Sequence, residues 1–311
     1  MYSKILQKPL NSEQRNGLAD LQQLRYAISR CNKETGEQLA ARLRVIRSCL
    51  MKIAHNSQIK EDYIEATKIL DDESLPSVAN QRGCRYPDDL VADARALVHK
   101  LESRDFDTYL LRGVDIKSFE PAGEKRSISR KLEDNYPRQA HAYTGQGTLT
   151  NGQWWPLQIC LIRDGAHGAL ESGISGTRGG VAHSVIVSNS GYSNIDNGET
   201  VEYCGTASKT SIPTPNTHML LESCKQRTPV RLFRSGGGKA APYLPSTGLR
   251  YDGLYDVTGY VVLDQATAMH RFTLIRQAGQ SPIRHEGEGA RPNESELEAW
   301  QSIRNNYGLA A

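Results

Sequence analysis

GLRYDGLYDVTGY, Gly248 to Tyr260, is the stretch whose reading decides the second half of the chain. Tyr255, Val257, Gly259 and Val261 alternate with Asp256, Thr258 and Tyr260, the period-two pattern of a half-buried strand. Asp252-Gly253 ahead of it is a turn dipeptide, because glycine adopts positive φ without strain. The sequence therefore predicts a tight turn feeding a strand.

Outward from this point, Leu157–Ile162, Ser184–Val187, Val201–Tyr203, Val230–Phe233, Tyr255–Leu263 and Phe272–Ile275 read as short strands. Gly, Ser and Thr are frequent between them. Short strands at this spacing predict a compact, strongly curved sheet or small barrel. After Pro292, Asn293 reads as a helix cap with Glu296 three residues on, followed by Leu297, Trp300 and Ile303.

The first hundred or so residues follow a different period. Leu39, Leu43, Ile46, Leu50 and Ile53 form one apolar stripe, and Leu18, Leu21, Leu24 and Ile28 form another. A third helix is expected from about Lys60 to Leu70, and a fourth after Pro87 with Leu90, Ala94, Leu97 and Leu101. Residues 1–119 thus read as a small helical bundle. Residues 120–143, charged and containing Pro121 and Pro137, read as a basic linker whose Lys125, Arg126, Arg130 and Lys131 serve solvation first, with nuclear import or phosphate contact as alternatives.

With 311 residues there is room for two domains. Hydrophobic residues make up 38% and the net charge is +3, so any anionic partner must meet a local patch rather than a basic surface. Cys31, Cys49, Cys84, Cys160, Cys204 and Cys224 are scattered singly without a metal-ligand spacing, which predicts reduced thiols and no metal. No apolar run has the length of a membrane span, so no membrane partner is expected.

Catalytic motifs fail on inspection. Ser235–Ala240, SGGGKA, lacks the upstream glycine and the Ser or Thr after Lys239 that a phosphate loop needs. Gly176–Gly180 precedes no helix pattern, and His167 reads as a hydrogen-bonded structural histidine. No enzyme and no cofactor are expected. Gly191–Gly205, GYSNIDNGETVEYCG, instead sets Tyr192 and Tyr203 on either side of a polar loop marked by Gly198, an arrangement that suits sandwiching a flat heterocycle.

Several blocks then occur in a fixed order: Trp154-Trp155-Pro156, Gly165 with His167, Gly173-Ile174-Ser175-Gly176, Asp196 with Gly198, Tyr203 with Gly205, Pro229-Val230-Arg231, and Arg250-Tyr251-Asp252-Gly253. Together they resemble the SRA-YDG (SET- and RING-associated) family, in phrasing most similar to its fungal members. The resemblance implies an α+β chain: an N-terminal helical bundle, then a PUA-like curved β-barrel with flanking helices over residues 144–279, then a tail over 280–311 ending in a helix. It implies double-stranded DNA carrying modified cytosine as partner, with 5-methylcytosine flipped out of the duplex between Tyr192 and Tyr203. Backbone groups at Cys204 and Gly205 would meet the base edge. Arg163, Arg178, Lys209, Arg234 and Lys239 would touch phosphates, and Leu170-Glu171 would fill the vacated stack.

The sequence departs from the family at the pocket. A Tyr-Glu-Asp-Asp-type run, whose aspartate accepts the cytosine amino hydrogens, is here Tyr192-Ser193-Asn194-Ile195. The Asn194 carbonyl would be the neutral substitute acceptor. Ile64–Arg104 also resembles the helical front domain of a transcription elongation factor, which implies a chromatin or transcription protein as partner for residues 1–119; the SRA-YDG resemblance implies a nuclear location. Two alternatives stand beside the reader: a degenerate SRA scaffold working through protein partners, and the targeting subunit of a modification-dependent nuclease.

Overall fold

The computed structural model describes residues 10–83, 85–119, 127–189, 191, 193–237 and 241–307. They divide into two compact units, Met1–Tyr109 with Glu294–Glu296, and Leu110–Asn293 with Leu297–Ala311.

The first unit is helical: α1 (Ser12–Cys31), α2 (Gly36–Ala54), α3 (Glu61–Thr67), α4 (Leu75–Ala79) and α5 (Asp88–Glu102). Asn11 starts α1 with a capping box, its Oδ1 accepting from Gln14 N at 2.8 Å while Gln14 Oε1 accepts from Asn11 N at 3.1 Å. The apolar stripes meet in one core holding Leu21, Leu24, Ile46, Leu50, Leu90 and Leu97. Arg47 Nε donates to Asp89 Oδ2 at 2.8 Å and ties α2 to α5. The expected bundle is present, and α3 stops early where Lys68 turns left-handed at φ 52°.

The second unit holds β1 (Val114–Phe119), β2 (Ser127–Leu132), β3 (Trp154–Trp155), α6 (Gln158–Arg163), β4 (Ile174–Gly176), β5 (Ala182–Val187), β6 (Ile195–Asp196), β7 (Thr200–Cys204), α7 (Pro215–Gln226), β8 (Val230–Ser235), β9 (Leu249–Asp264), β10 (Met269–Arg276) and α8 (Glu294–Tyr307). β1 and β2 form an antiparallel ribbon, so the span expected as a linker contains a strand. The large sheet runs β4-β5-β8-β9-β10-β7-β6, with β3 on the start of β9, and only β5–β8 is parallel among its pairs. The expected curved β-barrel does not close: among the described residues β4 and β6 end the sheet without pairing to each other.

Both faces of the central strands are covered, which is why every residue of β5 is buried. Ile186, Phe233 and Tyr251 enter one core with Trp154, Trp155, Leu161, Trp300 and Ile303. Val185, Val187, Leu232, Tyr255, Val257 and Phe272 enter the other, where Met219 and Leu220 of α7 cap them. Two elements correct the sequence reading. Leu157–Ile162 is not a strand but lies mostly in α6, buried at Ile159, Cys160, Leu161 and Arg163. Asp252-Gly253 is not a turn but lies near the start of a 16-residue strand.

The Asp-Gly pair does something else. Phe233 pairs with Tyr251 and Arg231 with Leu254, so Leu232 alone faces Asp252 and Gly253: a β-bulge. Gly253 takes φ +111°, which glycine tolerates, and a Cβ there would lie 2.5 Å from Gln280 Oε1. Gln280 satisfies the backbone beside the bulge, accepting from Leu254 N at 2.8 Å and donating to Leu254 O at 2.9 Å. The extra residue reverses strand parity. Tyr251 and Tyr255, four apart, enter opposite cores, whereas Asp252 and Tyr255, three apart, share a face.

Candidate nucleic-acid interface

The loop carrying the candidate pocket is a hairpin, β6 and β7, with Ile195 paired to Glu202 and Asp196 to Val201. Gly198 turns it at φ +78°, and Asp196 Oδ1 accepts from Gly198 N at 3.0 Å. β7 joins the hairpin to the sheet through β10, and the two-residue β6 at the sheet's end is tied in addition from β8. Arg234 donates Nε to Asp196 Oδ2 at 2.8 Å and Nη2 to Oδ1 at 2.7 Å, a bidentate pair, and Nη2 also reaches Gly198 O at 2.8 Å.

The bulged strand completes this anchor. Arg234 Nη1 donates to Asp252 Oδ2 at 2.9 Å and to Tyr255 Oη at 3.2 Å, and Tyr255 Oη donates to Gly198 O at 2.8 Å. Arg250 grips the other side of Asp252, Nε to Oδ1 at 2.6 Å and Nη2 to Oδ2 at 2.9 Å. Arg234, Arg250 and Asp252 are 0% exposed. Burial alone raises the Asp252 carboxyl, but Arg250 and then Arg234 outweigh it and hold the group below its ordinary value. Two arginines and two aspartates balance in charge, as buried ions must.

Of the five cations that the sequence reading placed on phosphates, Arg163 and Arg234 are buried and engaged within the protein. Arg234 belongs to this anchor. Arg163 is buried, holds Asp164 through Nε at 2.6 Å and Nη2 at 2.8 Å, and donates Nη1 to Leu110 O and Arg112 O at 3.0 Å each. Their hydrogens point at protein acceptors, and burial keeps them from a phosphate. Arg178 and Lys209 are exposed, as are Leu170 and Glu171 at the expected wedge. Tyr192 and Lys239 lie outside the described residues.

Tyr203 is buried at 5% exposure on the face of Val257 and Phe272, and its cross-strand partner is Phe272. A Cβ on Gly173 would sit 2.8 Å from its hydroxyl, so the glycine lets the backbone reach the ring's tip. Asn194 sits one residue beyond the Ile195–Glu202 pair, alongside Tyr203. Its Oδ1 accepts from Cys204 N at 2.8 Å, and its Nδ2 points to Ser188 O at a long 3.5 Å. The Cys204 thiol lies 3.6 Å from Ser193 O, and Gly205 N donates to His270 O at 2.9 Å. The backbone N–H groups of Cys204 and Gly205, expected to meet a base edge, are both engaged within the domain.

His167 is structural, as expected. Ser184 Oγ lies 2.8 Å from Nδ1 and Ser172 O 2.9 Å from Nε2, a pattern that puts the proton on Nε2. Burial pushes its pKa down to about 4, so the ring is neutral near pH 7. Sequence reasoning missed Arg231, which is buried and stacked 3.8 Å from the Tyr143 ring. It donates to the carbonyls of His141, Tyr143, Gly145 and Ala166 at 2.6–3.2 Å. Its place in the Pro-Val-Arg block was the available signal. Among the described residues no cluster of His, Cys, Asp and Glu could hold a metal ion.

Comparison with known proteins agrees with the ordered blocks. The SAD/SRA domain model matches residues 143–280. A UHRF1-like protein of Cryptococcus neoformans is 33% identical over 155 residues, covering 42% of this chain and 45% of that protein. The E3 ubiquitin-protein ligase ORTHRUS 3 of Arabidopsis thaliana is 31% identical over 136 residues, covering 39% of this chain and 20% of that one. A solved structure of the SUVH5 SRA domain with hemimethylated CG DNA is 26% identical, covering 45% of this chain and 95% of that one, with a TM-score of 0.37. The matches span less than half the length of these curated relatives.

Proposed function

We propose, from the match of residues 143–280 to the SAD/SRA domain model, that the chain is a nuclear, non-catalytic reader of methylated cytosine in double-stranded DNA. The target base is flipped out and stacks on Tyr203, with Tyr192 as the second ring. Residues 1–119 dock a chromatin or transcription protein. Flipping costs a few kcal/mol of pairing and stacking, and a preformed pocket recovers it, with about 1–3 kcal/mol from each aromatic ring.

The observation that carries this reading is the anchoring of the β6–β7 hairpin. A base pocket must be in place before the base arrives, since ordering a loop on binding would add to the flipping cost. The Arg234–Asp196 pair, held in turn by Asp252 and Arg250, fixes the hairpin that bears Asn194 and Tyr203. Exposed Arg178 and Lys209 supply phosphate contacts that position without reading sequence.

The test is a titration of the chain at fixed salt against unmodified, hemimethylated, fully methylated and hydroxymethylated duplexes. A methylated duplex is expected to bind more tightly than the unmodified one. Tyr203→Ala, shown folded by its melting curve, is expected to lose that preference and keep salt-sensitive binding to any duplex. Equal affinity of the wild type for all four duplexes would sink the reading. A second reading, a scaffold that keeps the fold without flipping, draws on the engagement of the Asn194 carbonyl by Cys204 N. Under it, 2-aminopurine beside the target base shows no fluorescence rise on binding.

A further inference from the structure

β9 runs on past the strand that flanks it. β8 pairs with β9 from Leu249 to Tyr255, whereas β10 follows it as far as Asp264. Among the described residues, the stretch 258–264 therefore has β10 on one side and no strand on the other. The projecting hairpin is held in shape from within. Bulges at Thr258 and Leu263 bracket its ladder, and Tyr260 packs on His270 and Phe272 at ring separations of 5.4 and 5.9 Å. Along the open edge every second residue turns its N–H and C=O outward. Tyr260, Val261, Val262 and Leu263 follow one another there, each between 39% and 56% exposed. Edges are usually blunted by lysine, proline or an inward charge, and residues 258–263 contain none of these.

We infer that this edge pairs with the same edge of a second copy, joining two sheets into one across a two-fold axis at Val261. Strand addition draws its affinity from main-chain hydrogen bonds, and the side chains along the edge decide the partner. Two identical antiparallel strands pair about a residue, because an axis between residues would set outward-facing backbone groups against inward-facing ones. Centred on Val261, the whole open edge overlaps: Tyr260 meets Val262, Val261 meets itself and Thr258 meets Asp264. Aromatic and β-branched residues opposite one another stabilise a ladder, and no charge meets a like charge. Centred on Tyr260 instead, Asp256 would face Asp264 at both ends, two like-charge contacts. The cation paired with Val261, Arg271, lies behind it on β10 with its Nε shut from solvent. The edge thus gives a charged partner little to read, while its own copy matches it residue by residue. So short an edge falls below the about 20–30 residues a side of a stable interface, which predicts a weak dimer.

Sedimentation velocity of the full chain over a concentration series tests this without DNA. Wild type is expected to pass from monomer to dimer across about 10 µM to 1 mM. Val261→Lys brings two ammonium groups together on the axis and is expected to leave a monomer with an unchanged melting curve. Thr258→Lys sets a cation opposite Asp264 at both ends and is expected to tighten the dimer about two- to tenfold, and Thr258→Asp to weaken it by a similar factor. General repulsion would act the other way, since the net charge is +3 and an added lysine raises it. A monomer at every concentration, or a dimer that Val261→Lys leaves intact, overturns the inference. So do Thr258 variants that act alike, and so do species larger than a dimer, because a two-fold contact closes on itself.

Discussion

Asp252 is the residue on which the candidate site hangs. It is fully buried, and its carboxylate is held ionised by Arg250 and Arg234. Asp252→Asn removes the one negative charge between two buried guanidiniums and is expected to cost about 3–5 kcal/mol, read by urea unfolding at pH 7. The acid dependence follows from the same contact. With its folded pKa below the ordinary value, Asp252 contributes stability that is fully present above about pH 4. That stability is lost as pH falls through the depressed folded value, because the unfolded chain binds the proton first. Asp252→Asn is expected to flatten this part of the acid limb. The sequence identified the Arg-Tyr-Asp-Gly block but gave Asp252 a turn, since Asp-Gly is a turn dipeptide by local propensity. Its true partner Arg234 lies 18 residues away, beyond any local rule. Arg163 and Arg234 were read as phosphate contacts for the same reason: residue type gives charge and not burial.

At the scale of elements, the bulge at Gly253 decides which cores β9 serves. Without it, Asp252 and Tyr255 would face opposite sides, and Arg234 would meet only one of them. Gly253→Ala is expected to destabilise the domain by about 1–3 kcal/mol from its backbone alone, with crowding against Gln280 added. Gly259→Ala in the same strand, where a Cβ meets nothing within 4 Å, is the control and is expected to be near neutral; urea midpoints compare the two. Short apolar runs bounded by turn residues located β5, β7, β8, β9 and β10, with period-two alternation marking β9. The strand reading failed at Leu157–Ile162, an apolar run in which Leu157, Ile159 and Leu161 are spaced by two, yet Gln158–Arg163 fold as α6. A helix of one or two turns buried on several sides shows no 3.6-residue stripe. β2 escaped notice because its SISRKL sequence is charged, and a two-stranded ribbon needs only one apolar side.

The whole molecule is two units with separate cores, helical before residue 110 and sheet-based after it. A chain of residues 110–311 is expected to unfold cooperatively and to bind methylated duplex as tightly as the full chain. Residues 1–109 are expected to stay helical by circular dichroism without binding DNA. Loss of duplex binding by the longer piece would place part of the interface in the helical unit. By itself the sequence determined the change from helical to strand period, the apolar stripes, and the ordered blocks from Trp154 to Gly253. These are short-range signals, set by side-chain spacing within a turn of helix or a few residues of strand. Only the tertiary structure decided that Asp252 sits in a bulge instead of a turn, that Arg234 anchors a hairpin instead of a phosphate, and that the Asn194 carbonyl faces Cys204. Each of those depends on which distant polar group arrives to meet a buried one, and burial without a partner is too costly for any other arrangement to persist.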